Sequence, residues 1–237
     1  MEDWLQRQRM LIGEEACEKL RKSTIAVVGL GGVGGACAEA LCRCGVGPLI
    51  LVDHDTVDSS NLNRQVMATL SSIGMAKTTA CEKRLRDISP MCEIQKLEMF
   101  YDEETAEQLF ALMPDYIVDC IDTVTAKLHL AESCVKREIP LLMCLGTGNR
   151  LDPSQFRVGD LSETAAVGGC GLARVMRREL KRQGIVHQQV LYSTEAASKT
   201  VISDSETGRN APGSIAFCPP VAGYLLAGQV VRDIVEK

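Results

Sequence analysis

Short apolar runs separated by amphipathic stretches organise the first two-thirds of the chain. The runs Thr24 to Gly29, Leu49 to Asp53, Tyr116 to Asp119 and Pro140 to Leu145 have the length of buried strands and close on turn or acidic residues, while Glu93 to Met99 alternates more weakly. Between them, Val33 to Cys44, Lys77 to Ile88, Glu103 to Leu112 and Thr125 to Arg137 repeat apolar positions at helical spacing. Such alternation predicts an α/β fold, a Rossmann-like doubly wound and mostly parallel sheet with flanking helices, its ligand crevice at the carboxyl ends of the strands.

After Gly146 the pattern loosens. A Gly/Ala-rich stretch, Thr164 to Gly171, leads into a basic helix over Leu172 to Gln183; a polar loop, Ser203 to Gly213, precedes a C-terminal helix expected to start after Pro219-Pro220. The reading is one domain over 1–237, with a nucleotide-binding half at 1–150 and a substrate-facing, helical and loop-rich half at 151–237.

With 237 residues, 46% of them hydrophobic, the chain can bury one substantial core. Its net charge of -5 gives no global basic field, so a nucleic-acid contact has to come from a local patch. The 11 cysteines, with a start (Met1-Glu2-Asp3-Trp4) unlike a signal peptide, point to a reducing, cytoplasmic setting with free thiols. No Cys-x-x-Cys pair occurs, which leaves a four-thiolate zinc site unsupported. The most apolar stretch, Val221 to Val231, is too short for a membrane span and is interrupted by Gln229.

Chemistry concentrates at the strand ends. Gly29-Leu30-Gly31-Gly32-Val33-Gly34 has the spacing of a tight strand-to-helix turn that brings backbone close to phosphate, with Gly31 and Gly32 nearest the anion. Asp53 lies 19 residues beyond Gly34, near the offset at which a carboxylate meets ribose hydroxyls. These signals specify adenosine but not which adenosine compound. Asn61-Leu62-Asn63-Arg64-Gln65 and Lys77 add what hydride transfer leaves without work: cations and amides of the kind that grip a triphosphate and steady charge as pyrophosphate departs. Asn61 and Asn63 are read either as turn caps or as ribose and phosphate partners. In Asp119-Cys120-Ile121-Asp122-Thr123, Asp122 stands at the strand tip, where a carboxylate plus phosphates suits Mg²⁺; Asp119, inside the strand, is read as a hydrogen-bond acceptor.

Together the glycine turn, Asp53 and Asp55, Asn-x-Asn-Arg-Gln, Lys77 and the Asp122 tip resemble the ubiquitin-activating-enzyme superfamily of adenylating enzymes. The resemblance implies ATP and Mg²⁺ as cofactors, and a homodimer in which Arg7, six residues before Gly13, reaches the neighbouring subunit's ATP site.

The second half is similar to bacterial tRNA threonylcarbamoyladenosine dehydratases at Gly146-Thr147-Gly148-Asn149-Arg150-Leu151-Asp152-Pro153, at Val158 to Thr164 and at Leu172 to Leu180. It departs from them at Gly169-Cys170-Gly171, where Asp-Pro or Cys-Pro is more usual. The resemblance implies a tRNA substrate, adenylation of the threonyl carboxylate and ring closure by the neighbouring carbamoyl group. Arg174, Arg177, Arg178 and Lys181 fall along one broad helix face suited to a phosphate backbone. Cys170 is the thiol singled out for test. A sulfur-transfer protein is carried as a further partner, and adenylation of a ubiquitin-like or sulfur-carrier protein as the alternative activity. An NAD-dependent oxidoreductase and a non-catalytic RNA-binding module rank below both.

Overall fold

Ten elements alternate along the front of the chain: α1 (Gln6–Lys22), β1 (Ile25–Val28), α2 (Gly32–Arg43), β2 (Leu49–Val52), α3 (Lys77–Ile88), β3 (Ile94–Leu97), α4 (Ala106–Phe110), β4 (Tyr116–Asp119), α5 (Val124–Arg137) and β5 (Leu141–Cys144). They are followed by β6 (Phe156–Asp160), α6 (Thr164–Val167), α7 (Gly171–Arg182), β7 (Gln189–Ser193), β8 (Val201–Ser203), β9 (Asn210–Pro212) and α8 (Cys218–Val235). The structure is a computed structural model that describes residues 4–167, 170–198, 201–203 and 210–236.

Seven strands form one sheet in the order β3-β2-β1-β4-β5-β7-β6, every neighbouring pair parallel except the antiparallel β6 and β7. This is the expected doubly wound architecture. Both faces of the inner strands are buried, which explains why those strands read as continuous apolar runs rather than alternating ones. Val27, Leu49 and Leu51 pack with Leu41, Leu85 and Leu226 on one face; Val28, Ile50 and Ile117 pack with Leu109, Leu130 and Met176 on the other.

Helix α8 lies along α2, and a Cβ at Gly223 would come within 2.3 Å of the Val33 carbonyl oxygen, so their backbones approach closely. That contact brings the C-terminal part of the chain onto the glycine-rich turn.

Three boundaries differ from expectation. α8 begins at Cys218, ahead of the prolines, because proline in a first helical turn sacrifices no intrahelical hydrogen bond. α4 is confined to five residues; upstream, Asp102 Oδ1 accepts the N–H groups of Glu104 and Thr105 in a turn of its own. β6 and β7, which the loosened pattern after Gly146 did not predict, extend the sheet beyond β5. Much of the polar loop expected over Ser203 to Gly213 lies outside the described residues.

Candidate active site

From β1 the chain crosses towards β2 and β3, whereas β4 leads to β5 on the opposite side, so the loops after β1 and β4 part and open a crevice. Gly29 turns the chain out of β1 with φ 90°, a left-handed conformation that disfavours any side chain. A Cβ there would lie 2.7 Å from the Cys120 carbonyl oxygen, and one at Gly34 would lie 1.7 Å from that of Gly29. At Gly31 a Cβ would meet nothing within 4 Å. The missing side chain of Gly31 therefore leaves an open cradle at the start of α2, where helix N–H groups favour an anion.

The end of β2 is tied to this turn. Asp53 is buried; its Oδ2 accepts the Leu30 N–H at 2.6 Å and its Oδ1 accepts the Asp55 N–H at 2.8 Å. The carboxylate expected to meet ribose thus also fastens the glycine turn, and each oxygen keeps a further lone pair for a hydroxyl. Lys77 Nζ donates to Asp55 Oδ2 at 2.6 Å. The side chains of Asp53, His54 and Asp55 gather within 4.8 Å, but both Asp53 oxygens serve backbone donors and Asp55 serves Lys77. That group is a hydrogen-bond relay rather than a cation cage. His54 meets Phe100 edge-on, ring centres 5.0 Å apart, at the wall of the same cleft.

A second cleft adjoins the first. Gly32, Val33, Cys120, Ile121 and Asp122 line both, whereas Asp53, Asp55 and Lys77 line the first and Arg64, Gly146, Thr147, Gly148, Ser214 and Pro219 the second. Lys77 lines the first cleft and Arg64 the second, and Arg64 packs against Gly32 of the turn that lines both. An Arg64 guanidinium nitrogen donates to the Ser60 carbonyl and to Asn63 Oδ1, both at 2.8 Å.

Asn61 is buried and caps its own turn, its Oδ1 accepting the Asp58 N–H at 3.1 Å, while Asn63 Nδ2 donates to the Ser214 carbonyl at 3.2 Å. The amide oxygen of buried Gln65 has no partner among the described residues.

Asp122 is exposed where the two clefts meet, and Thr123 Oγ1 approaches its carboxylate at 3.4 Å. No cation pairs with it among the described residues. A lone carboxylate supplemented by phosphate oxygens and water is a donor set that suits Mg²⁺.

Asp119, expected from the sequence as a hydrogen-bond acceptor, does accept the Ile121 N–H at 2.9 Å, but it is fully buried against an equally buried partner that went unnoticed. Lys127 Nζ lies 2.9 Å from Asp119 Oδ2. Burial pushes the Asp119 carboxyl upwards, and the Lys127 charge opposes that shift. Leu130, Ala131 and Cys134 share the buried face of α5 with Lys127, and a lysine at that spacing is the signal that an acid must stand opposite.

On α7, Arg178 and Arg182 pair with Glu179, and Arg177 is held by Thr164 Oγ1. Arg174 and Lys181 are exposed and have no partner among the described residues.

All 11 cysteines are free. Burial pushes Cys81, Cys134 and Cys144 up to about 12. Cys170 caps α7, its Sγ accepting the Ala173 N–H at 3.4 Å; Gly169 beside it lies outside the described residues. Among the described residues no cysteines group closely enough to hold a metal, and no helix is long and apolar enough to cross a membrane.

Arg7 projects from the first segment of α1, which is interrupted at Gly13 (φ 83°, ψ 168°) before Ala16, Cys17 and Leu20 anchor the second. Met10 and Leu11, close to Arg7, are 78% and 83% exposed.

The sequence profile described as ThiF family matches residues 5–236. The chain is 43% identical over 241 residues to the tRNA threonylcarbamoyladenosine dehydratase of Bacillus subtilis, covering 97% of this chain and 94% of that one. Crystal structures of the Escherichia coli tRNA N6-threonylcarbamoyladenosine dehydratase superpose with TM-scores of 0.88 for its complex with AMP and 0.87 for its complex with ATP. Each is 30% identical, with 100% of this chain and 96% of that chain covered.

Proposed function

Since the chain belongs to the ThiF family, we propose that it is an ATP-dependent tRNA threonylcarbamoyladenosine dehydratase, cyclising the modified adenosine through an acyl adenylate. The observation that carries this reading is the 43% identity running through both halves of the chain, past the nucleotide-binding half into the region around the second cleft.

ATP occupies the first cleft as a substrate. Gly29, Gly31, Gly32 and Gly34 let the backbone approach its phosphates, Asp53 meets the ribose, and Lys77 neutralises the charge that grows as pyrophosphate leaves. Asp55, Asn61, Asn63 and Gln65 complete the surrounding hydrogen-bond frame. The tRNA nucleoside enters the second cleft with its threonyl carboxylate beside Arg64, whose fork orients a carboxylate in two-point fashion. Oxygen of that carboxylate attacks the α-phosphorus at the shared wall, forming a mixed anhydride and releasing pyrophosphate. The neighbouring carbamoyl group then attacks the activated carbonyl, the ring closes and AMP departs with the carboxylate oxygen. The nucleoside has lost one water without an enzyme nucleophile. Closure is intramolecular, so orientation supplies much of the rate.

Asp122 is the residue to hold Mg²⁺, which when bound neutralises phosphate charge. The enzyme works as a homodimer, with Arg7 entering the partner's site and Met10 and Leu11 covered by the second copy. Arg174, Arg177, Arg178 and Lys181 meet the tRNA backbone. Eleven free thiols fit a reducing, cytoplasmic location.

Incubation with ATP, Mg²⁺ and tRNA bearing threonylcarbamoyladenosine, followed by mass spectrometry of the nucleosides, tests this. Loss of one water from the nucleoside, with one AMP released for each, is the expected result. An unchanged nucleoside in a protein that binds ATP would refute it.

A further inference from the structure

We propose that Asp119 is a positioning residue for adenylation, acting through the Ile121 N–H on the wall that both clefts share, with Lys127 balancing its buried charge; this rests on the ATP-dependent reading above. Neither side chain is reached by solvent, and Lys127 Nζ stands 2.9 Å from Asp119 Oδ2. A buried ion pair is weak evidence for stability, because apolar residues of similar volume often serve a core as well or better. What apolar residues would not supply is the second bond: Asp119 Oδ1 accepts the Ile121 N–H at 2.9 Å.

The position of Ile121 gives that bond its importance. Cys120, just past the end of β4, is still tied to β1, its N–H donating to the Val28 carbonyl at 2.8 Å. Ile121 is the first residue beyond, with its N–H fixed by Asp119 rather than by a strand. The Cys120 carbonyl presses on the space left by the missing side chain of Gly29, and Asp122 follows directly. Lys127 closes the loop from the other end, since its own N–H donates to the Thr123 carbonyl at 3.1 Å. One carboxylate therefore sets the register between the phosphate turn and Asp122, with one oxygen on the loop and the other held by Lys127.

Two double variants separate positioning from charge. Asp119→Asn with Lys127→Met removes both charges and keeps an acceptor for Ile121; Asp119→Leu with Lys127→Met removes the charges and the acceptor alike. The first is expected to keep kcat for AMP release within about threefold of wild type, and the second to lose about thirtyfold or more with KM for ATP nearly unchanged. Equal turnover of the two folded variants would overturn the proposal. If the leucine variant does not fold, Asp119→Ala with Lys127→Met takes its place with the same two outcomes. Amide exchange at Ile121, read without substrates, must also quicken by about tenfold or more in the variant lacking the acceptor while Val118 is unchanged; unaltered exchange overturns the proposal independently of activity. A wild-type enzyme inactive towards the modified tRNA, with the exchange effect intact, would instead refute the functional reading alone.

Discussion

Lys77 is bound twice to Asp55: its N–H donates to the Asp55 carbonyl at 2.9 Å and its Nζ to the carboxylate at 2.6 Å. Asp55 also donates its own N–H to Asp53, which accepts that of Leu30, so one continuous relay joins the lysine to the glycine turn. The ammonium is thereby aimed along the cleft before a phosphate arrives.

Replacing Lys77 by alanine should lower kcat for AMP release by about 10²-fold or more, the scale seen when one preorganised charge-stabilising donor is removed. Lys77 is itself buried, its side chain 9% exposed against 49% for Asp55, so truncation also removes packed methylenes and should lower the melting temperature by a few degrees without unfolding the chain. Full turnover in Lys77→Ala, measured alongside its melting temperature, would remove Lys77 from the phosphate grip.

The glycines should divide by phenotype. Gly34→Ala places a methyl 1.7 Å from the Gly29 carbonyl oxygen and should cost several degrees of melting temperature or prevent folding. Gly31→Ala meets nothing in the protein and should melt near wild type while binding ATP at least about tenfold more weakly, since the methyl occupies the cradle. Calorimetric titration with ATP distinguishes the two, and an unaffected affinity in Gly31→Ala would move the phosphates elsewhere.

Arg7→Ala and Arg64→Ala should each be inactive as homodimers. Mixing them so that subunits exchange should restore about a quarter of wild-type activity, as half the dimers are mixed and each mixed dimer holds one intact site. Exchange verified by native mass spectrometry without recovered activity would count against Arg7 working in trans.

Buried thiols set an alkaline limit. Cys81, Cys134 and Cys144 ionise only near 12 in the folded chain against an ordinary value of 9.0, because burial disfavours the thiolate. Groups raised in this way contribute stability that is fully present below pH 9 and is lost as pH climbs from 9 towards 12, where the unfolded chain alone sheds protons. Melting temperature should therefore fall steadily above pH 9. Below that range, iodoacetamide under native conditions should label half-buried Cys170 well before any of the three; early labelling of Cys81, Cys134 or Cys144 would contradict their burial.

Arg174→Ala and Lys181→Ala should each raise KM for tRNA and reduce the salt slope of tRNA binding by about one, since each is free to meet a phosphate. Arg178→Ala should do less, because Glu179 already holds that guanidinium. Filter binding over a salt series decides it, and equal losses at Arg174 and Arg178 would argue for a different face of α7.

The glycine turn, Asp53 and the inner strands were legible because each is local: an offset between two residues, or an apolar run bounded by a turn. Gln189–Ser193 was not, since five residues with polar ends carry little periodicity and their place in the sheet comes from pairing with Met143 and Cys144. Nor was the packing of Arg64 against Gly32, because spacing along the chain does not say where a loop returns. Lys127 was visible in principle as a charge on an apolar stripe, yet its partner Asp119 lies eight residues back on another element, and only the fold brings the two together.

The break in α1 has a mechanical consequence. A continuous helix would carry Arg7 along the axis that Leu20 sets, whereas the break at Gly13 gives the first segment a direction of its own, fixed where Gln8 Nε2 donates to the Cys44 carbonyl at 2.8 Å and Ile12 packs against the core. The arginine is thus aimed by the end of α2, where Gln8 and Leu5 seat the segment, and a side chain at Gly13 would alter its reach without touching the machinery that holds the nucleotide.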